Sequence, residues 1–253
     1  MIEVSNVTVR FGEKTVLNHV STFFDRGKTN LVIGQSGSGK TVLLKSIVGL
    51  LNVNEGDIIY DQAVFNKLNF AGQKEIRKEI GMLFQGSALF DSLTVEKNVM
   101  FPLDMFTDMS IEEKRERVNF CLQRVRLDNV NRLSPSELSG GMKKRVAIAR
   151  AIALNPKYLL CDEPNSGLDP QTSIVIDNLI KEITEEYNMT TIVNTHDMNS
   201  VLEIGAKVTF IYEGIIEWEG TKNDILQSHN KHLDDFVFAS ELGKKIKASS
   251  GGL

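Results

Sequence analysis

The chain has 253 residues, of which 42% are hydrophobic, and carries a formal net charge of −4. This length fits one large domain, and an acidic chain has no general attraction for nucleic acid or anionic lipid. No apolar run reaches the roughly 18–20 residues that span a bilayer, and we expect no signal peptide at this N-terminus. Cys121 and Cys161, its two cysteines, form no disulfide framework, which is typical of a reducing compartment.

The first thirty residues alternate between apolar and polar side chains, as half-buried β-strands do. Gly12 and Gly27 interrupt this pattern and predict turns. Residues 31–33 are a short apolar run, typical of a strand buried on both faces. The apolar positions of the alternating segment, which we expect to face a core, are Ile2, Val4, Val7, Val9, Val16, Leu17, Val20 and Phe23.

The rest of the chain alternates between predicted strands and helices. This order indicates an α/β fold with an open, mostly parallel sheet and helices on both faces. Residues 86–156 interrupt the sheet as a mostly helical insert, residues 221–253 are a helix-prone extension, and 244–253 are expected to be disordered. The strands are predicted at 56–60, 80–84, 158–161, 191–193 and 208–212, and the helices at 110–130, 141–154 and 172–187.

A glycine-rich loop joins the buried strand to the first helix. Glycines let backbone N–H groups converge on phosphate oxygens, and the helix presents its positive N-terminal end to the same oxygens. The strand–loop–helix context favours this interpretation over a chance glycine-rich turn. Lys40 is predicted to contact the β and γ phosphates of ATP, and the Thr41 hydroxyl to bind Mg²⁺. The predicted phosphate loop consists of Gly34, Gln35, Ser36, Gly37, Ser38, Gly39, Lys40 and Thr41.

Two adjacent acids follow the apolar run at 158–161. A buried strand would deliver Asp162 to the edge of the sheet, where a carboxylate can hold Mg²⁺ through its water shell. Glu163 would point the other way and polarise an attacking water. A solvated acidic strand end is the alternative, but the preceding phosphate loop favours the catalytic interpretation.

Ser139, Gly140, Gly141 and Met142 open a predicted helix. The serine is suited to cap that helix, or the segment forms an outward-facing anion site. The basic residues that follow, 143–145, are expected to be solvated.

Five motifs in a fixed order resemble the ATP-binding cassette (ABC) ATPases over residues 1–220. They are the phosphate loop, Gln85, the segment at 138–142, the acids at 162–163, and His196. The resemblance implies a P-loop NTPase fold of ABC type, with a mostly parallel sheet core, an N-terminal antiparallel β subdomain and the helical insert. It also implies that Gln85 senses Mg²⁺ and the attacking water, and that His196 contacts the γ-phosphate.

The same resemblance implies a homodimer with two ATP molecules at the interface. Ser139, Gly140 and Gly141 would bind the γ-phosphate held by the other subunit, and Asp169 lies in the loop that crosses to that subunit. Phe11 stands where the family stacks an aromatic ring on adenine, with ordinary strand packing as the alternative. Two positions depart from the pattern: Val42 replaces a hydroxyl residue that contacts the α-phosphate, which would weaken nucleotide binding, and Met142 replaces glutamine.

The segment 82–95 resembles the Mla/MCE-type phospholipid transport ATPases, as does Met142. That resemblance implies integral-membrane permease partners, an MCE-domain lipid-binding protein, no nucleic acid, and a peripheral location on the cytoplasmic side of the inner membrane. The function would be to move phospholipid between inner and outer membranes and so maintain outer-membrane lipid asymmetry. An apolar socket for the permease is expected, unless these side chains pack in the subunit's own core, at Ala88, Leu89, Phe90 and Leu93.

Three other functions remain open at this stage. One is the ATPase of an importer for small polar solutes such as amino acids. Another is a soluble, non-transport ABC protein, although the acidic charge offers no nucleic-acid footprint. The third is a nucleotide-dependent binding module without turnover, against which the carboxylate of Glu163 argues. The apolar side chains of residues 221–253 are expected to contact the core or the partner subunit.

Overall fold

The computed structural model describes residues 1–238, which form two sheets with helices packed around them. The expected disorder of residues 244–253 therefore falls outside the described residues. The four-stranded sheet has the order β2-β1-β4-β5 and the six-stranded sheet the order β10-β9-β3-β8-β7-β6. The strands are β1 (Ile2–Phe11), β2 (Lys14–Phe24), β3 (Thr29–Ile33), β4 (Glu55–Tyr60), β5 (Ala63–Val64), β6 (Ile80–Leu83), β7 (Tyr158–Asp162), β8 (Thr190–Thr195), β9 (Lys207–Tyr212) and β10 (Ile215–Gly220).

The smaller sheet is antiparallel throughout, as predicted for the N-terminal segment. The expectation that Phe23 faces the core was wrong. Its ring is 46% exposed and the Lys207 ammonium lies 3.5 Å from its centroid, whereas Phe24 is fully buried. The β1–β2 pairing contains three register shifts. Each irregularity can change which face a side chain points to, so simple alternation fails along β2.

The larger sheet is mostly parallel, which confirms the predicted fold class. β3 pairs in parallel with β8 and β9, and β7 pairs in parallel with β6 and β8. The edge strand β10 runs antiparallel to β9. The carboxyl ends of the parallel strands therefore meet along one edge of the sheet, where ligands of such folds bind.

Eight α-helices occur in the described residues, and three of them lie between β6 and β7, within the predicted insert. They are α1 (Lys40–Ile47), α2 (Phe70–Lys78), α3 (Val95–Phe106), α4 (Ile111–Arg124), α5 (Gly140–Ala151), α6 (Pro170–Glu186), α7 (Met198–Ile204) and α8 (Lys231–Val237). The predicted start of α4 is confirmed by a capping box between Ser110 and Glu113. Its predicted extension to residue 130 was wrong, because Arg126 and Asn129 adopt positive φ angles.

The two faces of the larger sheet are covered by two separate cores. Leu31 and Ile33 face a core built with helices α3 to α6, whereas Val32 faces one built with α1 and the antiparallel sheet. Both cysteines are buried, Cys121 in α4 and Cys161 in β7. Among residues 1–238 no helix is long and apolar enough to cross a membrane.

The described part of the C-terminal extension docks on the chain's own sheet. Leu233 of α8 is fully buried, and the ring of Phe236 lies 5.6 Å from that of Phe210 in β9. The ring of His232, which is partly exposed, stacks on Tyr212 at 4.0 Å, and its Nδ1 lies 2.7 Å from a carboxylate oxygen of Glu217.

Candidate active site

The phosphate loop occupies the turn between β3 and α1, and its glycines are required by the backbone. Gly34, Gly37 and Gly39 have φ angles of 150°, 83° and 111°. At Gly34 a Cβ atom would lie 2.3 Å from the carbonyl oxygen of Ile211, and at Gly39 it would lie 2.7 Å from Leu17 Cδ2. Side chains are excluded at these two positions on steric grounds, which keeps the loop backbone accessible.

Lys40 is buried and folds back over its own loop. Its ammonium donates to the carbonyl oxygens of Gly34 at 2.8 Å and Gln35 at 3.0 Å. Burial lowers the pKa of Lys40, and the nearby carboxylates of Glu163 and Asp162 oppose that shift. The lysine therefore lies within reach of both the loop backbone and the acidic strand end.

Asp162, at the end of β7, is the point where the phosphate loop and the sheet meet. Its Oδ1 atom accepts from the Thr41 hydroxyl at 3.1 Å and from the Asn194 side-chain amide at 3.2 Å. Asn194 of β8 is fully buried, and its Oδ1 has no hydrogen-bond partner in the described residues. Asn194 was not predicted as a site residue; the signal for it is an amide that directly follows the apolar Ile192 and Val193 in β8.

Glu163 leaves the strand in a left-handed conformation, with φ 49°. Its backbone N–H donates to the Asn194 carbonyl at 3.0 Å, and its Oε2 lies 2.8 Å from His196 Nδ1. The carboxylate is largely buried and the imidazole largely exposed. The structure thus brings together two residues that were predicted separately as site residues, each presented by the end of a neighbouring strand.

Gln85 follows β6 and is exposed, and its side-chain amide donates to the Ser166 hydroxyl at 3.3 Å. The expectation that Lys144 is solvated was wrong. It is 4% exposed, and its ammonium donates to the backbone carbonyls of Gln85 and Glu163. Arg150, on the same helix, donates to the carbonyls of Ser87 and Ala88.

Ser139 caps α5, accepting from the Met142 N–H at 3.3 Å, so the helix begins at Gly140. Both Ser139 and Gly140 are exposed. Gly141 packs so closely that a Cβ atom would lie 2.6 Å from Thr172 Cγ2 in the first turn of α6. The start of α5 therefore lies against the start of α6.

Asp169 caps α6 through its bonds from the Thr172 N–H at 3.0 Å and from the Thr172 hydroxyl at 2.5 Å. These two hydrogen bonds lower the pKa of Asp169, and the bond from the Thr172 hydroxyl has the larger effect. A cleft of about 600 Å³ opens beside Glu163 and His196, between α6 and α7. Phe11, at the end of β1, has a ring that is 49% exposed.

Comparison with known proteins identifies the family. A family model described as "ABC transporter" matches residues 17–166, more than half of the chain. The chain belongs to this family. It is an ATP-binding and ATP-hydrolysing subunit of an ABC transporter, with the predicted mixed α/β cassette fold.

Two curated relatives span most of the cassette with nearly the same identity. The intermembrane phospholipid transport system ATP-binding protein MlaF of Haemophilus influenzae is 39% identical over 94% of this chain and 90% of its own length. The methionine import ATP-binding protein MetN of Campylobacter jejuni is 38% identical over 98% of this chain and 80% of its own length.

Solved structures of similar cassettes agree with the fold. The dimeric post-hydrolysis state of the cassette MJ0796, bound to ADP and Pi, has a TM-score of 0.80 and 35% identity over 88% of this chain and 99% of that one. The cassette cbiO1 from Clostridium perfringens, part of the complex cbiONQ, has a TM-score of 0.83 and 27% identity over 99% of this chain and 98% of that one.

Proposed function

We propose that this ATPase powers the movement of phospholipid between the inner and outer membranes. The observation that carries this proposal is the segment 82–95, with Met142, which resembles the phospholipid transport ATPases. The 39% identity to MlaF over 94% of the chain supports it. The cassette would sit peripherally on the cytoplasmic side of the inner membrane, bound to permease subunits and, through them, to an MCE-domain lipid-binding protein.

In this proposal Glu163 orients and polarises the water that attacks the γ-phosphate. The contact of its Oε2 with His196 Nδ1 at 2.8 Å helps to position the carboxylate, and positioning is most of what phosphoryl transfer requires. His196 and Gln85 flank the reacting phosphate. The loop amides of residues 34–39 and Lys40 bind the phosphate chain, and Phe11, with its exposed ring, stacks on adenine.

The donor set also fits Mg²⁺, which prefers hard oxygen ligands and keeps several waters. The Thr41 hydroxyl and the Asp162 carboxylate are 3.1 Å apart, and the Gln85 amide oxygen completes the proposed set. When bound, the ion neutralises charge on the β and γ phosphates. The neighbouring orphan Oδ1 of Asn194 supports the fit, because an unpaired buried acceptor is rare unless a ligand or water serves it.

Two copies are proposed to enclose two ATP molecules. The exposed start of α5, at Ser139 and Gly140, would contact the γ-phosphate on the second copy, with Asp169 in the crossing loop. The dimeric state of the MJ0796 cassette supports this arrangement. Closure of such a dimer is a two-state motion that can do work on attached permeases.

The permease is proposed to dock beside Gln85. Phe90 is 42% exposed and its ring lies 4.7 Å from that of Phe101, itself 39% exposed. Ala88 is also exposed, whereas Leu89 packs partly against the core. An exposed apolar patch of this kind marks a partner surface. We call Ala88, Phe90 and Phe101 the apolar patch.

The second candidate is the ATPase of a small-solute importer. It is favoured by the 38% identity to the methionine import protein MetN over 98% of the chain. Both candidates use the same nucleotide chemistry and differ in cargo and membrane partners.

Purification of the tagged full chain from its native membrane in mild detergent tests the proposal. Mass spectrometry of the co-purifying proteins and lipids is the readout, with a tagged Lys40→Ala variant as the control for nucleotide-independent carry-over. A permease with an MCE-domain protein and bound phospholipid is the expected result. A permease with a solute-binding protein would establish the importer instead.

A further inference from the structure

We infer that Lys144 is a positioning residue that ties the start of helix α5 to the two segments carrying Gln85 and Glu163. The inference rests on the roles proposed above for those two residues. Lys144 lies one helical turn after Gly140, inside the helical insert. Its ammonium leaves the insert and reaches the sheet edge, where it donates to the carbonyl of Gln85 and, at 3.4 Å, to that of Glu163.

The two carbonyl acceptors lie just after the ends of two neighbouring strands. Gln85 follows β6 and Glu163 follows β7, and these strands are paired in register up to Leu83 and Cys161. An ammonium has three donors and no acceptor, so a buried one is stabilised where several carbonyls converge. Lys144 meets this condition, because its ammonium lies where α5 meets the segments that follow β6 and β7.

The rest of α5 supports this coupling. Arg150 donates to the carbonyls of Ser87 at 2.8 Å and Ala88 at 2.7 Å, where the backbone adopts positive φ at both residues. The segment after Gln85 is therefore held from α5 at two places. Lys144 also bonds to the carbonyl of Glu163, so it links the backbone at this carboxylate to the helix that Ser139 caps.

This placement predicts an effect on turnover rather than on nucleotide binding. Among the described contacts, those of Lys40 and Thr41 with the loop and Asp162 do not involve Lys144. Loss of the ammonium would let Gln85 and Glu163 shift relative to each other and to α5. Misplacement of a catalytic group by about 1 Å is enough to cost about a hundredfold in rate.

The test compares Lys144→Met with Lys143→Met, a matched removal of charge at the partly exposed neighbouring residue. ATPase kinetics are measured on the membrane complex, the affinity for a fluorescent ATP analogue on the full chain, and Tm on both. We expect Lys144→Met to lower kcat by about tenfold to a hundredfold, with nucleotide Kd within about twofold of wild type and KM little changed. Lys143→Met should match wild type, and Lys144→Gln, which keeps an amide donor, should recover part of kcat.

Unchanged kcat in Lys144→Met would refute the inference, and so would a parallel loss of Tm and nucleotide affinity, which would indicate a purely structural role. Glu163→Gln is measured alongside. Full ATP turnover in Glu163→Gln would refute the catalytic role of Glu163. A normal kcat in Lys144→Met, together with a loss of turnover in Glu163→Gln, would refute only the inference about Lys144.

Discussion

Asp177, a buried carboxylate of α6, joins three segments at the cleft beside Glu163 and His196. Its Oδ1 accepts from the Asn165 amide at 2.8 Å, and that amide also donates to Ser200 of α7 at 3.1 Å. Burial raises the pKa of Asp177 to about 6; bonds from Ser200 and Asn165 oppose the shift, and the charges of Asp197 and Glu203 add to it. Neither the burial of Asp177 nor its raised pKa could be predicted, because burial of an acid cannot be read from one helical pattern.

We predict that Asp177→Asn raises stability at neutral pH. The folded pKa lies above the unfolded value near 3.9, so the folded state keeps its proton longer as pH rises. The free energy of unfolding of the wild type therefore falls between about pH 4 and pH 6 and levels off above. The gain in the variant should be smallest near pH 4 and reach at most about 3 kcal/mol above pH 7. Urea unfolding of both proteins across this range measures it.

A matched control is Asp169→Asn at the exposed cap of the same helix. Hydrogen bonds from Thr172 lower the pKa of Asp169, so its contribution to the free energy of unfolding rises with pH, opposite in sign to that of Asp177. A pH-independent difference between Asp177→Asn and wild type would contradict the assignment of the titration to this residue.

Sequence periodicity predicted most strands but overlooked three of the described helices, α2, α3 and α7. α2 has no buried residue, so no apolar stripe reveals it, and its Phe70 is 78% exposed. α3 contains Pro102, which argues against a helix interior. The glycine-rich loop lies between β3 and α1 and the two acids at the end of β7, as the sequence predicted, because both positions follow from local strand and helix patterns. Lys144 and Asn194 were missed because their partners come from distant segments.

At the start of α5 we predict that Gly141→Ala destabilises the cassette. The added Cβ would meet Thr172 Cγ2 at 2.6 Å, and overpacking of this kind costs about 1–3 kcal/mol. The Thr172→Ser background removes that methyl group and keeps the hydroxyl bonded to Asp169. There the same substitution should stabilise by up to about 1 kcal/mol, because alanine favours a helix over glycine.

Thermal and urea unfolding of the four proteins in this cycle give the coupling between the two sites. Equal effects of Gly141→Ala in both backgrounds would show that the close approach of α5 to α6 does not limit this position.

The apolar patch of Ala88, Phe90 and Phe101 is predicted to bind the permease. Phe90→Ser removes a ring that packs on Phe101 and faces solvent, so less permease should co-purify while affinity for nucleotide is retained. Phe70→Ser, which removes an exposed ring from α2, serves as the control. Equal permease recovery in both variants, measured by quantitative mass spectrometry, would place the docking surface elsewhere.

At the scale of the whole molecule, Glu163→Gln is predicted to trap a dimer. The variant keeps the phosphate loop but loses the carboxylate that we propose polarises water, so bound ATP should persist and hold two copies together. Light scattering after size exclusion, with Mg²⁺ and ATP, should give about twice the 28.3 kDa of one chain. Adding Lys40→Ala should restore the monomer, and a monomeric Glu163→Gln protein in saturating ATP would contradict the shared-site dimer.

Both native thiols are expected to be unreactive at neutral pH. Cys121 and Cys161 are buried, and burial raises the pKa of the first to about 11 and that of the second above its usual range. The thiolate is the reactive species, so maleimide reagents at neutral pH should leave both unmodified. A cysteine introduced at an exposed position of the helical insert, such as Glu112, can then carry a spin label or fluorophore in the otherwise native chain. Distances between labels on two copies would follow each cycle of closure and opening directly.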